Sequence, residues 1–298
     1  IYLSGMAGSN DEPFERRYET RAYTNQTVPN ATTSGVMPGY TNRITRVRAV
    51  AASIIDVTNA QYAGWSQELR NAGVGAEHDL GRLQLDYDAL FSSARVLSTR
   101  KKEGQLIMRL PNVGWILDRT ESDLYPKFIQ TEGPDFNNPN SYRPAPNGLN
   151  DRNDGNYHRI RELRGNARYA MPVEVPLFFK AGVNWRQQSF ARWNRSRRWS
   201  YIGTGPLAPD SGLIMFDRVK TGRQIPQWQA DTFIKGGLPV TPALWDEDRY
   251  FHESTKYTGT SRVMETVSSG FVMALGRLGR EGLLGRTGYL TGVRSEKT

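Results

Sequence analysis

The chain has 298 residues, no cysteine, and a formal charge of +9 from 39 basic and 30 acidic side chains. The missing cysteine excludes disulfides, thiolate metal sites and cysteine nucleophiles, and a hydrophobic share of 38% is low for a thick helical core. No window approaches the ~18 consecutive apolar residues of a membrane-spanning helix, while 29 glycines and 11% aromatic residues suit strands that bury one face.

Strands are expected at about 1–8, 18–27, 43–57 and 104–118, and three hairpins read more clearly. In the first, Ala72, Val74 and Ala76 lead through the turn His78-Asp79-Leu80-Gly81 to a return strand. That strand sets Leu83, Leu85, Tyr87, Ala89 and Phe91 on one face and Gln84, Asp86 and Asp88 on the other. In the second, Leu163, Gly165, Ala167 and Tyr169 oppose Glu162, Arg164, Asn166 and Arg168. After the connection 171–176, Leu177, Phe179, Ala181, Val183 and Trp185 oppose Lys180, Gly182, Asn184 and Arg186. The third joins Val267–Leu278 to Leu283–Arg294 through 279–282, presenting Phe271, Met273 and Leu275, then Tyr289, Thr291 and Val293.

These strands approach the ~9–11 residues that cross a bilayer, longer than the ~5–6 of ordinary sheets. A barrel wall alternates apolar and polar residues, so the mean hydropathy of −0.61 is compatible with it. Short turns (79–81, 171–176, 279–282) alternate with long connections (119–156 and 194–257), the loop asymmetry of outer-membrane barrels. Aromatic residues near the strand ends, among them Trp65, Trp115, Phe190 and Trp193, fit interfacial girdles or ordinary cross-strand pairs.

The segment 119–156 is rich in turn formers and reads as irregular. Its Asp151-Arg-Asn-Asp-Gly155 run lacks the glycine position and glutamate of a calcium loop. The segment 194–257 carries Arg197, Arg198, Trp199, Tyr201, Trp228, Trp245 and Tyr250. Aromatic surfaces beside arginine could hold a small-molecule or oligosaccharide ligand, or the rings could pack the loop onto its own scaffold. Basic clusters at Arg100-Lys101-Lys102 and Arg195–Arg198 read as solvated loops or as attraction to phosphate-rich headgroups. No nucleic-acid motif accompanies them. His78, His158 and His252 are isolated, and no nucleophile elbow or phosphate-binding loop occurs, so no catalytic, metal or cofactor site is expected. The sequons at Asn25, Asn30 and Asn194 would be chance matches if the source is bacterial.

The stretch Thr27-Val-Pro-Asn-Ala-Thr-Thr-Ser-Gly-Val-Met-Pro-Gly-Tyr-Thr-Asn-Arg-Ile-Thr resembles the barrel of TonB-dependent receptors, as do Val113–Thr120, Leu163–Tyr169, Arg197–Tyr201, Asp248–Tyr250 and the closing Gly292–Thr298. The resemblance implies an all-β, antiparallel up-and-down transmembrane β-barrel with short periplasmic turns and long extracellular loops. It implies residence in the outer membrane of a Gram-negative bacterium. It further implies active transport of a scarce nutrient (siderophore-iron, a vitamin or an oligosaccharide) powered by the TonB energy-coupling complex. Such barrels have about twenty-two strands and an internal plug. Residues 1–298 carry about ten expected strands and no plug or TonB box, so they read as a partial wall domain in contact with lipid and lipopolysaccharide. Asp86, Asp88, Arg164, Arg168, Lys180, Asn184 and Arg186 would line the lumen, and the seven loop residues of 194–257 named above would help form the ligand vestibule. The contrasting expectation is a secreted all-β carbohydrate-binding protein, its apolar strand face covered by a second sheet.

Overall fold

The computed structural model describes residues 1–11, 15–24, 31–62, 66–97, 104–208 and 226–298. The Arg100–Lys102 cluster, Trp65 and the sequons at Asn25 and Asn30 lie outside them. In chain order the elements are β1 (Tyr2–Asp11), β2 (Glu15–Tyr23), β3 (Ile44–Val47), β4 (Ile54–Tyr62), β5 (Ser66–Leu80), β6 (Leu83–Leu97), β7 (Gly104–Pro111), β8 (Gly114–Asp118) and β9 (Lys127–Glu132). There follow β10 (Arg143–Asp151), β11 (Asp154–Ala170), β12 (Leu177–Asn194), β13 (Arg197–Tyr201), α1 (Ala230–Phe233), β14 (Ile234–Lys235), β15 (Leu238–Pro239), β16 (Trp245–Glu247), α2 (Arg249–Thr258), β17 (Ser261–Arg277), α3 (Gly282–Arg286) and β18 (Gly288–Lys297). The class is all-β, with 62% of the chain in strands.

Two antiparallel sheets follow one plan. The long-strand sheet has the order β1-β5-β6-β11-β12-β17-β18, and a second has the order β2-β4-β7-β10-β13-β16. Strands of equal place in the two orders are neighbours in the chain, as β6 and β7 or β11 and β10 are. The described strands therefore form one up-and-down meander in which six runs each give a strand to a lower and an upper sheet, and a seventh gives β18 to the lower sheet. Seven runs cross the lower sheet, not about ten, because several expected strands are two halves of one run. The sheet is open, with β1 bonded only to β5 and β18 only to β17.

Connections sort by end. At the lower end β5 turns into β6 through Gly81 and Arg82 alone, Leu80 pairing with Leu83. Gly81 has φ 77°, a conformation two-residue hairpins need, and its N–H donates to Asp79 Oδ1 at 2.9 Å. His78 to Leu80 thus belong to the strand and not to the turn. The third lower connection runs from Leu278 to Thr287 and holds α3, so it is longer than the expected 279–282.

The upper connections, 24–53, 112–142 and 202–244, are long and carry structure. The first two supply the three-stranded sheet β3-β8-β9, and the third supplies α1 and the β14-β15 pair. The expectation of irregular chain over 119–156 and 194–257 is corrected accordingly: β9 and β10 fall in the first and β13 and β16 in the second. β10 forms although it contains two prolines: Pro144 pairs opposite Met108, and a register shift between Pro144 and Leu149 leaves Pro146 out of the ladder with β7.

Among the described residues the clustered buried core lies in the upper half. Ile55 and Val57 of β4, Leu106, Met108 and Leu110 of β7, Leu149 of β10 and Trp199 of β13 share a cluster with Phe136, Tyr142, Leu207, Trp228, Ala230, Ile234 and Trp245 from the connections and β16. Tyr142 donates its hydroxyl to the Phe136 carbonyl at 2.7 Å, and Trp228 donates its indole N–H to the Leu207 carbonyl at 3.0 Å. The long connections are the second layer of this core.

Cross-strand rings lie over glycines at several places on the long-strand sheet. A Cβ on Gly75, Gly155, Gly182 or Gly276 would strike the ring of its direct partner: Tyr2, Trp193, Phe271 and Tyr289 respectively. Such pairs cover the gap that glycine leaves in a strand and hold the register. Gly104 is different, since its missing Cβ makes room for the Asn150 carbonyl of the next strand and for Ile234. Gly104→Ala should destabilise the fold by about 1–3 kcal/mol through overpacking. Gly165→Ala, whose Cβ meets nothing nearer than 3.9 Å, should be almost silent; urea unfolding of the two variants checks the contrast.

Candidate functional site

The lower sheet carries two unlike faces, and strand register assigns every residue to one of them. On the first face, Leu83 shares a row with Tyr169, Phe179 and Ala274. The next row holds Leu85, Ala167, Ala181, Val272 and Val293; the next Tyr87, Gly165, Val183 and Gly270; the next Leu3, Val74, Ala89, Leu163 and Trp185. Along β6 the apolar positions Leu83 to Phe91 span roughly 26 Å at ~3.3 Å per residue. Aliphatic and small residues fill the middle of this band. Tyr169, Phe179 and Tyr289 stand at its lower edge, Trp185 and Phe91 at its upper edge. Polar groups interrupt it at two places: Tyr87 stacks on His78, with hydroxyl and ring nitrogen 3.1 Å apart, and toward the β18 edge the rows end in Ser268, Thr291, Ser295 and Lys297.

Nothing in the described chain covers this face. Val183 is 67% exposed, Val272 60% and Leu163 53%. A second sheet over the apolar rows, which the contrasting expectation required, is absent among the described residues.

The second face gathers all seven residues expected to line a lumen. Asp88, Arg164 and Asn184 are direct partners in one row, Arg168 and Lys180 in another, and Glu162 and Arg186 in a third, with Asp86 opposite Asn166. Arg164 grips the Asp88 carboxylate through both Nε, at 2.9 Å, and Nη2. Asn166 donates to Asp86 at 2.7 Å and Arg168 to Gln84 at 3.3 Å. Asp88 is buried, and its second carboxylate oxygen and the Asn184 side-chain carbonyl have no hydrogen-bond partner. The third hairpin is corrected here. Phe271 pairs with Gly182 and Arg294, so Phe271, Met273 and Leu275 share the charged face, whereas Tyr289, Thr291 and Val293 sit with Val272 and Ala274 on the apolar one.

The residues expected in a ligand vestibule divide. Trp199, Trp228 and Trp245 are 3%, 1% and 5% exposed and belong to the upper core, so their faces contact protein and cannot serve as stacking platforms. Tyr201 packs against that core, edge-on to Trp245. Arg197 to Tyr201 form a strand, not a loop. Arg197 faces Glu247 at 3.7 Å and Arg198 faces Asp248 at 2.6 Å while stacking on Phe251. Tyr250, 83% exposed on α2, remains free for a ligand. A polar groove of about 460 Å³ runs beside these arginines, lined also by Asn147, Asn150, Asp151 and Arg152.

Sequence reasoning missed the polar knot above the lower sheet. Arg109 holds both oxygens of Asp56 at 2.9 and 3.0 Å and donates to the Tyr23 hydroxyl at 2.9 Å. Burial and then the Asp56 carboxylate raise the Tyr23 hydroxyl above its ordinary value. Three scattered residues on three strands give no sequence signal. Among the described residues no group of three His, Asp or Glu side chains could hold a metal ion.

Two outcomes follow from these pairs. Arg164→Ala should cost about 1–3 kcal/mol, because it strands the buried Asp88 carboxylate, and Asp88→Asn in the same chain should recover part of it; urea unfolding of the single and double variants measures both. Asp248 caps α2 by accepting the Phe251 N–H at 2.9 Å, and that bond, then Arg198, holds its carboxyl below the ordinary aspartate range. A lowered folded value means the cap's stabilisation is present above about pH 4 and disappears as pH falls through the lowered value. The Phe251 amide resonance followed from pH 6 to about 2 should shift with a midpoint below that of an unfolded aspartate. In comparisons with known proteins, no family description, curated protein or solved structure matches the chain.

Proposed function

We propose that the chain is a wall segment of an outer-membrane β-barrel receptor of the TonB-dependent type, acting in nutrient uptake and not in catalysis. One observation carries the reading: rows of apolar side chains, edged by aromatics, stand uncovered on strands of 15–18 residues while charged rows occupy the opposite face. In water such a surface costs about 25 cal/mol per Å² of exposed apolar area, so it calls for an apolar surrounding. Hydrocarbon provides that surrounding, and an apolar band ~25 Å tall with aromatic girdles is the form barrels give it. The short lower turns then face the periplasm and the long, structured connections the exterior. The charged face looks into the lumen, where a siderophore, vitamin or oligosaccharide passes under the control of a plug coupled to TonB.

Soluble carbohydrate binding draws no support from the same features. Its covering sheet and its exposed tryptophan platforms are both missing from the described residues.

Arginine scanning separates lipid from water on the two faces. In the detergent-refolded chain, Val183→Arg or Ala167→Arg should make insertion into phosphatidylcholine vesicles less favourable by about 2–4 kcal/mol. Asn184→Arg or Asn166→Arg should change it by less than ~1 kcal/mol. Equal tolerance on both faces would falsify the reading.

A further inference from the structure

Directly above the aromatic edge, the apolar face turns basic. Ser93 of β6 sits between Arg70 of β5 and Arg159 of β11 in one cross-strand row. Arg95 follows two residues along β6 in the next row, and Arg161, two residues after Arg159 on β11, lies in the row of Phe91. At ~4.8 Å between strands and ~3.3 Å per residue, four guanidinium stems surround one hydroxyl within roughly 10 Å. All four arginines are exposed.

One carboxylate is near: Glu68, the partner of Arg95, lies 3.6 Å from Arg70. Arg95, Arg159 and Arg161 face no carboxylate at ion-pair distance among the described residues, while Arg159 stands over the Tyr157 ring. Three other arginines of the strands, by contrast, are each matched by a carboxylate: Arg109 by Asp56, Arg164 by Asp88 and Arg198 by Asp248. Here four arginines stand with a single carboxylate among the described residues, and the cluster adjoins the apolar rows of Ala72, Ala89 and Leu163.

Cation above and hydrocarbon below is the complement of an amphiphile with an anionic head. Guanidinium forks match phosphate oxygens in pairs, and a serine hydroxyl adds a further donor. We infer that Arg70, Ser93, Arg95, Arg159 and Arg161 form a docking site for the phosphate of a membrane lipid, whose acyl chains lie down the rows of Ala89 and Leu163. The inference rests on the barrel reading and adds to it a specific lipid contact on the outward face.

The test uses the full chain refolded in a neutral maltoside detergent. Short-chain phosphatidic acid, short-chain phosphatidylcholine and inorganic phosphate are titrated separately, with thermal unfolding as readout. Phosphatidic acid should raise the midpoint, and the other two should leave it nearly unchanged. The double variant Arg95→Gln/Arg159→Gln should weaken the phosphatidic acid response roughly thirtyfold, the size expected for two basic groups at a headgroup. The control Arg168→Gln/Lys180→Gln, on the opposite face, should retain it. An equal response to inorganic phosphate would overturn the lipid assignment in favour of a free-anion site. Equal loss in both double variants would reduce the effect to net charge, and no response in the unaltered chain would remove the site. Insertion of the unaltered chain into phosphatidylcholine vesicles is scored in parallel: its failure counts against the barrel reading, and normal insertion without phosphatidic acid preference counts against this site alone.

Discussion

Backbone hydrogen bonding along long antiparallel strands constrains everything else in this molecule. Once β6, β11, β12 and β17 are zipped in one register over fifteen or more residues, each side chain is committed to one of two faces. A shift of one residue would exchange Val183 for Asn184 and Leu163 for Arg164, sending charge where aliphatic groups stand. The cross-strand rings over Gly75, Gly155 and Gly182 resist such a shift locally, because each ring fits only opposite a residue with no side chain.

The chain satisfies burial in two ways along the same runs. In the upper half the long connections return and cover the sheet, burying Trp228, Tyr142 and Phe136 completely and satisfying the indole and phenol groups with backbone carbonyls. In the lower half the connections are too short to return, and no described segment lies over the apolar rows. Loop length therefore decides which sheet acquires a protein core. The proposed surrounding of the other sheet is hydrocarbon, which would serve the same apolar side chains without adding residues.

The sequence made the lower sheet legible wherever one face was plainly apolar and the other plainly polar. Leu83 to Phe91 and Leu163 to Trp185 alternate cleanly, and the seven charged or amide residues assigned to one face share it in the structure. Val267 to Arg294 misled because Phe271, Met273 and Leu275 are larger than Gly270, Val272 and Ala274, so size pointed to the wrong parity. Strand β10 was hidden by two prolines, one of which, Pro146, falls in a register shift that only its partner strand reveals. The three buried tryptophans could not be told from binding platforms, since what covers them is supplied by residues tens of positions away. Arg109, Asp56 and Tyr23 were invisible for the same reason.

The change of character partway up the first face, from Leu163 to Arg161 on β11 and from Phe91 to Arg95 on β6, has a mechanical meaning. Sliding a strand by two residues preserves which side each group faces, so alternation alone cannot forbid it. It would, however, drag arginine into the aliphatic rows or lift aliphatic groups among the arginines. In the proposed membrane setting the boundary would act as a waterline painted on a hull, setting the draught of each strand and penalising any plank that rides high or low.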